Sequence, residues 1–109
     1  MTPRHGIHVR FRALPGRGEE LVARLLAGID ELGPLDACEL CLVDRAIHDP
    51  DAVYVTEVWT SRAEHEAFAA RDDAKAFIRE VHALVAEPPR ITYVMPAGGV
   101  GLERAAAQM

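Results

Sequence analysis

The sequence has no long apolar run, and its first residues, MTPRHGIHVRF, lack the apolar core of a signal peptide. A membrane-spanning helix needs about 20 predominantly apolar residues, so no membrane span is predicted. Positive charge is also scarce, because 12 Lys and Arg stand against 17 Asp and Glu, a formal net charge of −5. Nucleic-acid binding depends on positive charge, so no nucleic-acid partner is expected. We predict a soluble cytoplasmic protein.

Sequence motifs for cofactors and metals are missing as well. No GxGxxG, GxxxxGKS/T, HExxH or GxSxG pattern occurs in the chain. The five histidines, at positions 5, 8, 48, 65 and 82, do not have ligand spacing relative to one another. We therefore expect neither a bound metal nor another cofactor.

The two cysteines, Cys38 and Cys41, are spaced like a CxxC motif but fall in a segment with strand character. In a strand, three residues separate the Cα atoms by about 10 Å and send the side chains to opposite faces. A disulfide requires Cα atoms within roughly 7 Å, and a redox or zinc motif would need a helix start or a knuckle turn. We expect two buried free thiols.

Four segments have the character of strands. Residues 7–14 alternate strictly between apolar and polar side chains, and residues 53–59 are rich in β-branched and aromatic types. Residues 37–47 precede the second of these across the short turn HDPDA, which predicts a hairpin. A last strand is predicted in RITYVMPA, at residues 90–97.

Helical spacing of apolar residues fills the two gaps between the strands. The first helix follows PGRGEE and ends at GPLD, where a glycine and a proline stop it. The second starts at residue 62, because Ser61 and Glu64 have capping-box spacing. It breaks or kinks at RDD, and Asp72 or Asp73 is expected to cap the part that follows.

The resulting order, β-α-β-β-α-β with the second helical segment split, predicts an α+β fold of the ferredoxin-like type. Such a fold has a four-stranded antiparallel sheet with helices on one side. We expect a single domain over residues 1–109, with its core at about 6–97 and a flexible tail at 98–109. Because the opposite sheet face carries apolar side chains on every strand, we also expect a homodimer that packs sheet against sheet.

Two residues of the third strand are candidates for chemistry. Glu57 and Trp59 share strand parity with Val53 and Val55, so all four face one side of the sheet. If helices cover that side, apolar surroundings raise the pKa of Glu57 and make it a candidate proton acceptor. Otherwise Glu57 lies near the sheet edge and pairs with an arginine. Trp59 either packs in the core or forms the wall of a pocket.

Three further residues have two open interpretations each. His65 shares a helix face with Phe68, three residues on, and is either half-exposed or points into a cavity as a proton shuttle. His82 lies four residues after Ile78, at the border between the surface and the buried face. Arg10 alternates out of the apolar face of the first strand, toward either the polar part of a dimer interface or a pocket.

Several segments together resemble the antibiotic biosynthesis monooxygenase (ABM) domain family. They are HVRFRALPGRGEELVARL, VYVTEVWTSRAEHEAF, KAF and AEPPRITYVMPAGG, and the most telling block runs from Glu57 to Phe68. The resemblance implies a dimer closed into an α/β barrel, with a pocket between sheet and helices in each subunit. It also implies oxidation of quinols, naphthols or anthrones by O₂, with no metal or flavin.

The resemblance also bears on single residues. Glu57 and Trp59 match the family pattern, whereas Phe68 and Asp73 stand where many members carry a histidine. We predict a cofactor-independent monooxygenase that acts on a small aromatic substrate and O₂; catalytic roles fall to Glu57 and His65, and substrate binding to Trp59, Phe68, Arg10 and His82. The alternative is a non-oxidative dimeric α/β barrel that binds a small molecule, or that isomerises or cyclises a polyketide-like ligand.

Overall fold

The computed structural model describes residues 2–102. The strands are β1 (His5–Arg12), β2 (Cys38–Arg45), β3 (Ala52–Trp59) and β4 (Arg90–Val94), and the helices are α1 (Gly18–Glu31), α2 (Arg62–Ala69) and α3 (Asp72–His82). The strands form one antiparallel sheet in the order β2-β3-β1-β4, so the predicted α+β ferredoxin-like fold is confirmed. Residues 103–109, the greater part of the predicted flexible tail, lie outside the described residues.

The strand register separates the sheet into a helix-covered face and an open face. Ile7 pairs with Glu57, Val9 with Val55, and Phe11 with Val53, so these side chains point the same way. The apolar members of these pairs are buried beneath the helices together with Leu21 and Leu25 of α1 and Val81 of α3. The core therefore lies between one face of the sheet and the helices, as the alternation in β1 predicts.

The start of α1 is capped from another part of the chain. Arg17, the residue before the helix, makes no side-chain capping bond. Instead, the carboxylate of Asp51, in the β2–β3 turn, accepts the backbone N–H groups of Gly16 at 2.9 Å and Gly18 at 3.0 Å. Because the first N–H groups of a helix have no intrahelical partner, this contact stabilises α1 and fixes it against the hairpin.

The starts of α2 and α3 differ from each other. Ser61 Oγ accepts the N–H of Glu64 at 3.2 Å, which confirms the predicted start of α2. The prediction that Asp72 or Asp73 caps α3 is wrong, since the capping position is Arg71 and it makes no side-chain capping bond. The Asp73 carboxylate is engaged by the Arg71 guanidinium at 2.7 Å and accepts the N–H of Ala74 from within the first turn.

A bulge in β2 changes the placement of the cysteines. The register shifts between Cys38 and Leu40, so that Cys38 pairs with Trp59 and Cys41 with Glu57. An extra residue on one strand reverses the side-chain alternation beyond it. The prediction that the two cysteines face opposite sides is therefore wrong, because both lie on the helix-covered face. They are free thiols, as predicted, but half-buried rather than fully buried.

Strand β4 ends earlier than predicted. It stops at Val94 instead of continuing to residue 97. Pro96 has no N–H to donate to a strand ladder, which is consistent with this end.

Within residues 2–102, no helix has the length and apolar character needed to cross a membrane.

Gly18 provides a test of the contact between α1 and the β2–β3 turn. A Cβ added there would overlap the carbonyl oxygen of Pro50 and lie 3.0 Å from the Cα of Asp51, both backbone atoms that cannot swing away. We expect Gly18→Ala to lower the free energy of unfolding by about 2 kcal/mol or more, measured by urea denaturation.

Gly16→Ala is the matched control for this substitution. Its φ of 78° carries the strain of a left-handed conformation, but no atom lies within 4 Å of an added Cβ. We expect a loss of only about 1 kcal/mol there. A loss at Gly18 no larger than the loss at Gly16 would contradict the close packing described above.

Candidate functional site

A cavity of about 320 Å³ lies between the helix-covered face of the sheet and the helices. Most of its wall is apolar and includes Ile7 and Val9 of β1, Leu25 and Ile29 of α1, and Phe77 of α3. Small-molecule sites commonly have volumes of about 300–1,000 Å³ and combine an apolar wall with a few polar groups. This cavity is at the lower end of that range and suits a compact, flat and mainly apolar ligand.

Glu57 is the acidic residue in this wall. It lies on β3 between Ile7 of β1 and Cys41 of β2, which are its direct neighbours across the sheet. The Trp59 indole Nε1–H donates to Glu57 Oε1 at 2.8 Å. Burial raises the pKa of Glu57 above its ordinary value of 4.5, and the bond from Trp59 opposes that rise. The carboxylate thus faces the helix-covered side, and its hydrogen-bond donor is an indole rather than an arginine.

Trp59 connects Glu57 to helix α2. Its side chain is only 2% exposed, at the end of β3. Its ring contacts Phe68 with a centroid distance of 5.1 Å and His65, edge-on, at 5.2 Å. The indole N–H therefore binds the carboxylate, while the rest of the ring packs against His65 and Phe68, the two cavity-lining side chains of α2.

His65 belongs to a short stack of rings at one end of the cavity. Its ring centroid lies 5.4 Å from that of His5, and His5 in turn lies 5.5 Å from Tyr93 of β4 in a stacked arrangement. Burial lowers the pKa of His65 below its ordinary value of 6.5; the nearby His5 lowers it further, while Glu66 raises it. A largely neutral imidazole at pH 7 can both donate and accept a proton.

Cys38 and Cys41 also line the cavity, beside Glu57. Burial raises the pKa of Cys41 to about 12, and the charges of Glu57 and Cys38 contribute in the same direction. Because the thiolate is the form that attacks electrophiles and binds metals, this environment disfavours both roles. In the described part of the chain, no three His, Cys, Asp or Glu residues are grouped closely enough to hold a metal ion.

Five of the six residues predicted for the site line this cavity. Glu57, Trp59, His65 and Phe68 lie along one side, and His82 lies at the exposed rim. Arg10 does not line it; its side chain lies on the open face of the sheet, beside a separate small pocket formed with Arg12, Glu87 and Arg90. The cause is strand alternation, because Val9 points into the cavity and the next side chain must point away.

The sequence interpretation missed four polar side chains at or beside the cavity: Cys38, Cys41, Tyr93 and His5. Tyr93 pairs directly with Ile7, and His5 with Trp59. Both could have been found by aligning the predicted strands in ferredoxin-like order and following the parity of β1. The cysteines could not, because the bulge that turns them inward leaves no clear signal in the sequence.

The comparisons with known proteins agree with this architecture. A family model described as antibiotic biosynthesis monooxygenase matches residues 4–80. The chain belongs to this family. The resemblance inferred from the sequence is thereby confirmed at the level of the family.

Several solved structures superpose on most of this chain and on nearly all of their own length. A Chloroflexus aurantiacus protein that carries the family name provisionally is 29% identical, with a TM-score of 0.79 over 92% of this chain and 99% of its own. PA3566 from Pseudomonas aeruginosa is 22% identical, with a TM-score of 0.75 over 88% and 96% of the two chains. Rv0793 from Mycobacterium tuberculosis is 20% identical, with a TM-score of 0.76 over 89% and 98%. A search of curated proteins gave no match.

Two positions separate this ABM chain from the pattern that the sequence resemblance leads one to expect. Phe68 lines the cavity as an apolar ring packed on Trp59. Asp73 is exposed, bound to Arg71, and absent from the lining. Neither residue supplies a base to the cavity, so its ionisable groups are Glu57, His65, His82, Tyr93 and the two thiols.

The raised pKa of Glu57 leads to a prediction about stability. Above pH 4.5 the unfolded chain releases a proton that the native state still holds. The stabilising contribution is therefore full below pH 4.5 and is lost as the pH rises through the folded-state pKa. Glu57→Gln removes this titration, so we expect the stability of the wild type relative to the variant to fall as the pH rises. Urea denaturation at a series of pH values measures this.

The exposed Glu19→Gln substitution on α1 is the control, because it changes the same functional group outside the cavity. We expect the stability of the wild type relative to this variant to show no comparable fall as the pH rises. If Glu57→Gln behaves like Glu19→Gln, the carboxyl group of Glu57 does not have a raised pKa in the native protein.

Proposed function

We propose that this protein is a cofactor-independent monooxygenase that oxidises a quinol, naphthol or anthrone-type substrate with O₂. The observation that carries the proposal is a half-buried carboxylate, Glu57, which accepts a hydrogen bond from the indole of Trp59 in the wall of a mainly apolar cavity. Membership of the ABM family supports the same assignment. The volume and the mainly apolar lining of the cavity support this substrate class, which the family resemblance suggests.

The reaction balances without an external reductant. The substrate loses a proton, and the resulting electron-rich anion passes one electron to O₂. The two radicals combine to a peroxide on a ring carbon, and that carbon then loses its hydrogen while the O–O bond breaks. One oxygen atom stays as a carbonyl and the other leaves as water, so the substrate supplies all four electrons that O₂ accepts.

The residues have distinct roles in this scheme. Glu57 accepts the first proton, and its raised pKa makes its ionised form a stronger base. His65, neutral at pH 7, takes up the proton that the ring carbon loses and passes it to the departing oxygen, which receives its other proton back from Glu57 and leaves as water. Trp59 and Phe68 form the aromatic wall against which a flat substrate lies, and His82 borders the entrance. The apolar lining keeps water from the peroxide.

A second candidate is a non-oxidative member of the same fold, a binding protein or an isomerase or cyclase of a polyketide-like ligand. The observation in its favour is that Phe68 adds an apolar ring where a histidine was expected from the resemblance. Proton transfer to and from a ligand by Glu57 and His65, which both line the cavity, would serve isomerisation as well as oxidation. Ligand-dependent thermal shifts without oxygen consumption distinguish this candidate.

Oxygen uptake by chelator-treated protein, with a panel of quinols, naphthols and anthrones, tests the main proposal. We expect uptake of one O₂ per quinone formed, and a kcat for Glu57→Gln lowered by about 100-fold or more. His48→Gln, in the exposed β2–β3 turn, should leave kcat unchanged. No uptake above buffer across the panel would exclude the monooxygenase.

We also propose that two copies of the chain pack through their open sheet faces, as predicted from the sequence. Leu40, Leu42 and Tyr54 on that face are 40%, 48% and 39% exposed, so the face is both apolar and accessible. Burial of such a patch against a second copy is the usual outcome for a small domain.

The cytoplasmic location remains a prediction from the sequence.

Leu42→Glu tests the dimer. We expect the wild type to sediment as a dimer at micromolar concentration and the variant as a monomer, because the new charge would be buried without a partner. Leu26→Glu, which places the same charge on an exposed position of α1, should leave the dimer intact. A monomeric wild type would contradict the proposal.

A further inference from the structure

A second pocket of about 480 Å³ adjoins the main cavity. Its wall contains His5, Arg62, His65, Glu66 and Tyr93, together with Val94 and Met95. His65 and Tyr93 line both spaces, so the two pockets share a boundary of polar rings. A ligand with its aromatic part in the main cavity would therefore place a substituent beside these rings.

The fixed charges around this second pocket largely cancel. Arg62 Nε lies 2.8 Å from Glu66 Oε1 in a salt bridge along α2. Arg4, just before β1, lies 2.9 Å from Glu39 of β2. Glu57 of β3 does not line this pocket, and on β4 the facing group is the phenol of Tyr93. The imidazoles of His5 and His65 are the remaining lining side chains that can carry positive charge.

The two imidazoles are close enough to act together. Their ring centroids are 5.4 Å apart, so full protonation of both brings two positive charges into contact range. An anion placed between them would offset this repulsion and accept hydrogen bonds from protonated nitrogens. A neutral substituent would gain no comparable benefit.

We propose that the His5–His65 pair is a subsite for an ionised acidic substituent, and that the ligand of this protein is an aromatic carboxylic acid. The ring system lies in the main cavity and the carboxylate reaches the second pocket. This inference rests on the proposed function for its choice of cavity and adds to it the class of ligand. His5 of β1 thereby becomes a binding residue, together with His65 of α2.

Binding of 2-naphthoate and its neutral isostere 2-naphthamide, measured by calorimetry at about pH 5.5 and about pH 8.5, tests the subsite. We expect 2-naphthoate to bind the wild type about tenfold more tightly at the lower pH, because a bound carboxylate favours proton uptake by the neighbouring imidazoles. The affinity for 2-naphthamide should change by less than about twofold. Equal pH dependence for the two probes, or no binding of either, would overturn the proposal.

His5→Phe distinguishes the effect of the imidazole pair from that of other titrating groups. A phenyl ring keeps the stack on Tyr93 but has no nitrogen that can be protonated. Ionisation of Glu57 at higher pH would also repel a carboxylate, and this variant leaves Glu57 in place. We expect His5→Phe to lose most of the pH dependence for 2-naphthoate while its affinity for 2-naphthamide stays the same. His48→Gln should behave as the wild type. Retention of the full pH dependence in His5→Phe would overturn the proposal.

The two proposals fail independently in these experiments. Neither naphthalene probe has a phenolic hydroxyl, so their binding does not require oxygen chemistry. Acid-selective binding without oxygen uptake would leave the subsite standing and exclude the monooxygenase. Oxygen uptake without acid selectivity would do the reverse.

Discussion

The hydrogen bond from the Trp59 indole to the Glu57 carboxylate is the contact on which the candidate site depends. A carboxylate in apolar surroundings is costly unless a donor satisfies it, and the indole donates one N–H to the half-buried Glu57 at 2.8 Å. A single neutral donor compensates only in part, so the pKa of Glu57 stays raised. An arginine at the same place would have held the carboxylate ionised and made it a poor base. The indole therefore gives the carboxylate a hydrogen-bond donor while the pKa of Glu57 stays raised.

The same ring determines where helix α2 lies. No residue of α2 is fully buried, so its position depends on the contacts of a few side chains. Phe68 and His65 pack on Trp59, and the Arg71 guanidinium lies over the Phe68 ring and donates to the carbonyl of Leu32 at the end of α1. The wall of the cavity and the orientation of Glu57 are consequently coupled through Trp59. A substitution at Trp59 would change the base and the shape of the site at the same time.

Much of this arrangement follows from strand alternation, which is why the sequence predicts it well. Parity in β3 places Glu57 and Trp59 together, and the helix periodicity of residues 62–69 brings His65 and Phe68 to the same side. What alternation cannot give is a change of register, and the bulge in β2 turned both cysteines inward against expectation. Arg10 lies outside the cavity because the side chains of β1 alternate without interruption. A role in the pocket would have required a bulge in that strand. Contacts across distant elements, such as the Asp51 cap of α1, require the fold itself.

His5 brings a second imidazole to the neighbourhood of Trp59. The resemblance leads one to expect an imidazole at position 68, where this chain has a phenyl ring that lines the cavity. His5 is the direct cross-strand partner of Trp59, and His65 contacts the same indole from the helix. Two imidazoles thus lie near Trp59, one from β1 and one from α2. Glu57 lines the apolar cavity, whereas both imidazoles border the polar pocket beside it. In the proposed subsite, this arrangement suits a ligand that is apolar at one end and ionised at the other.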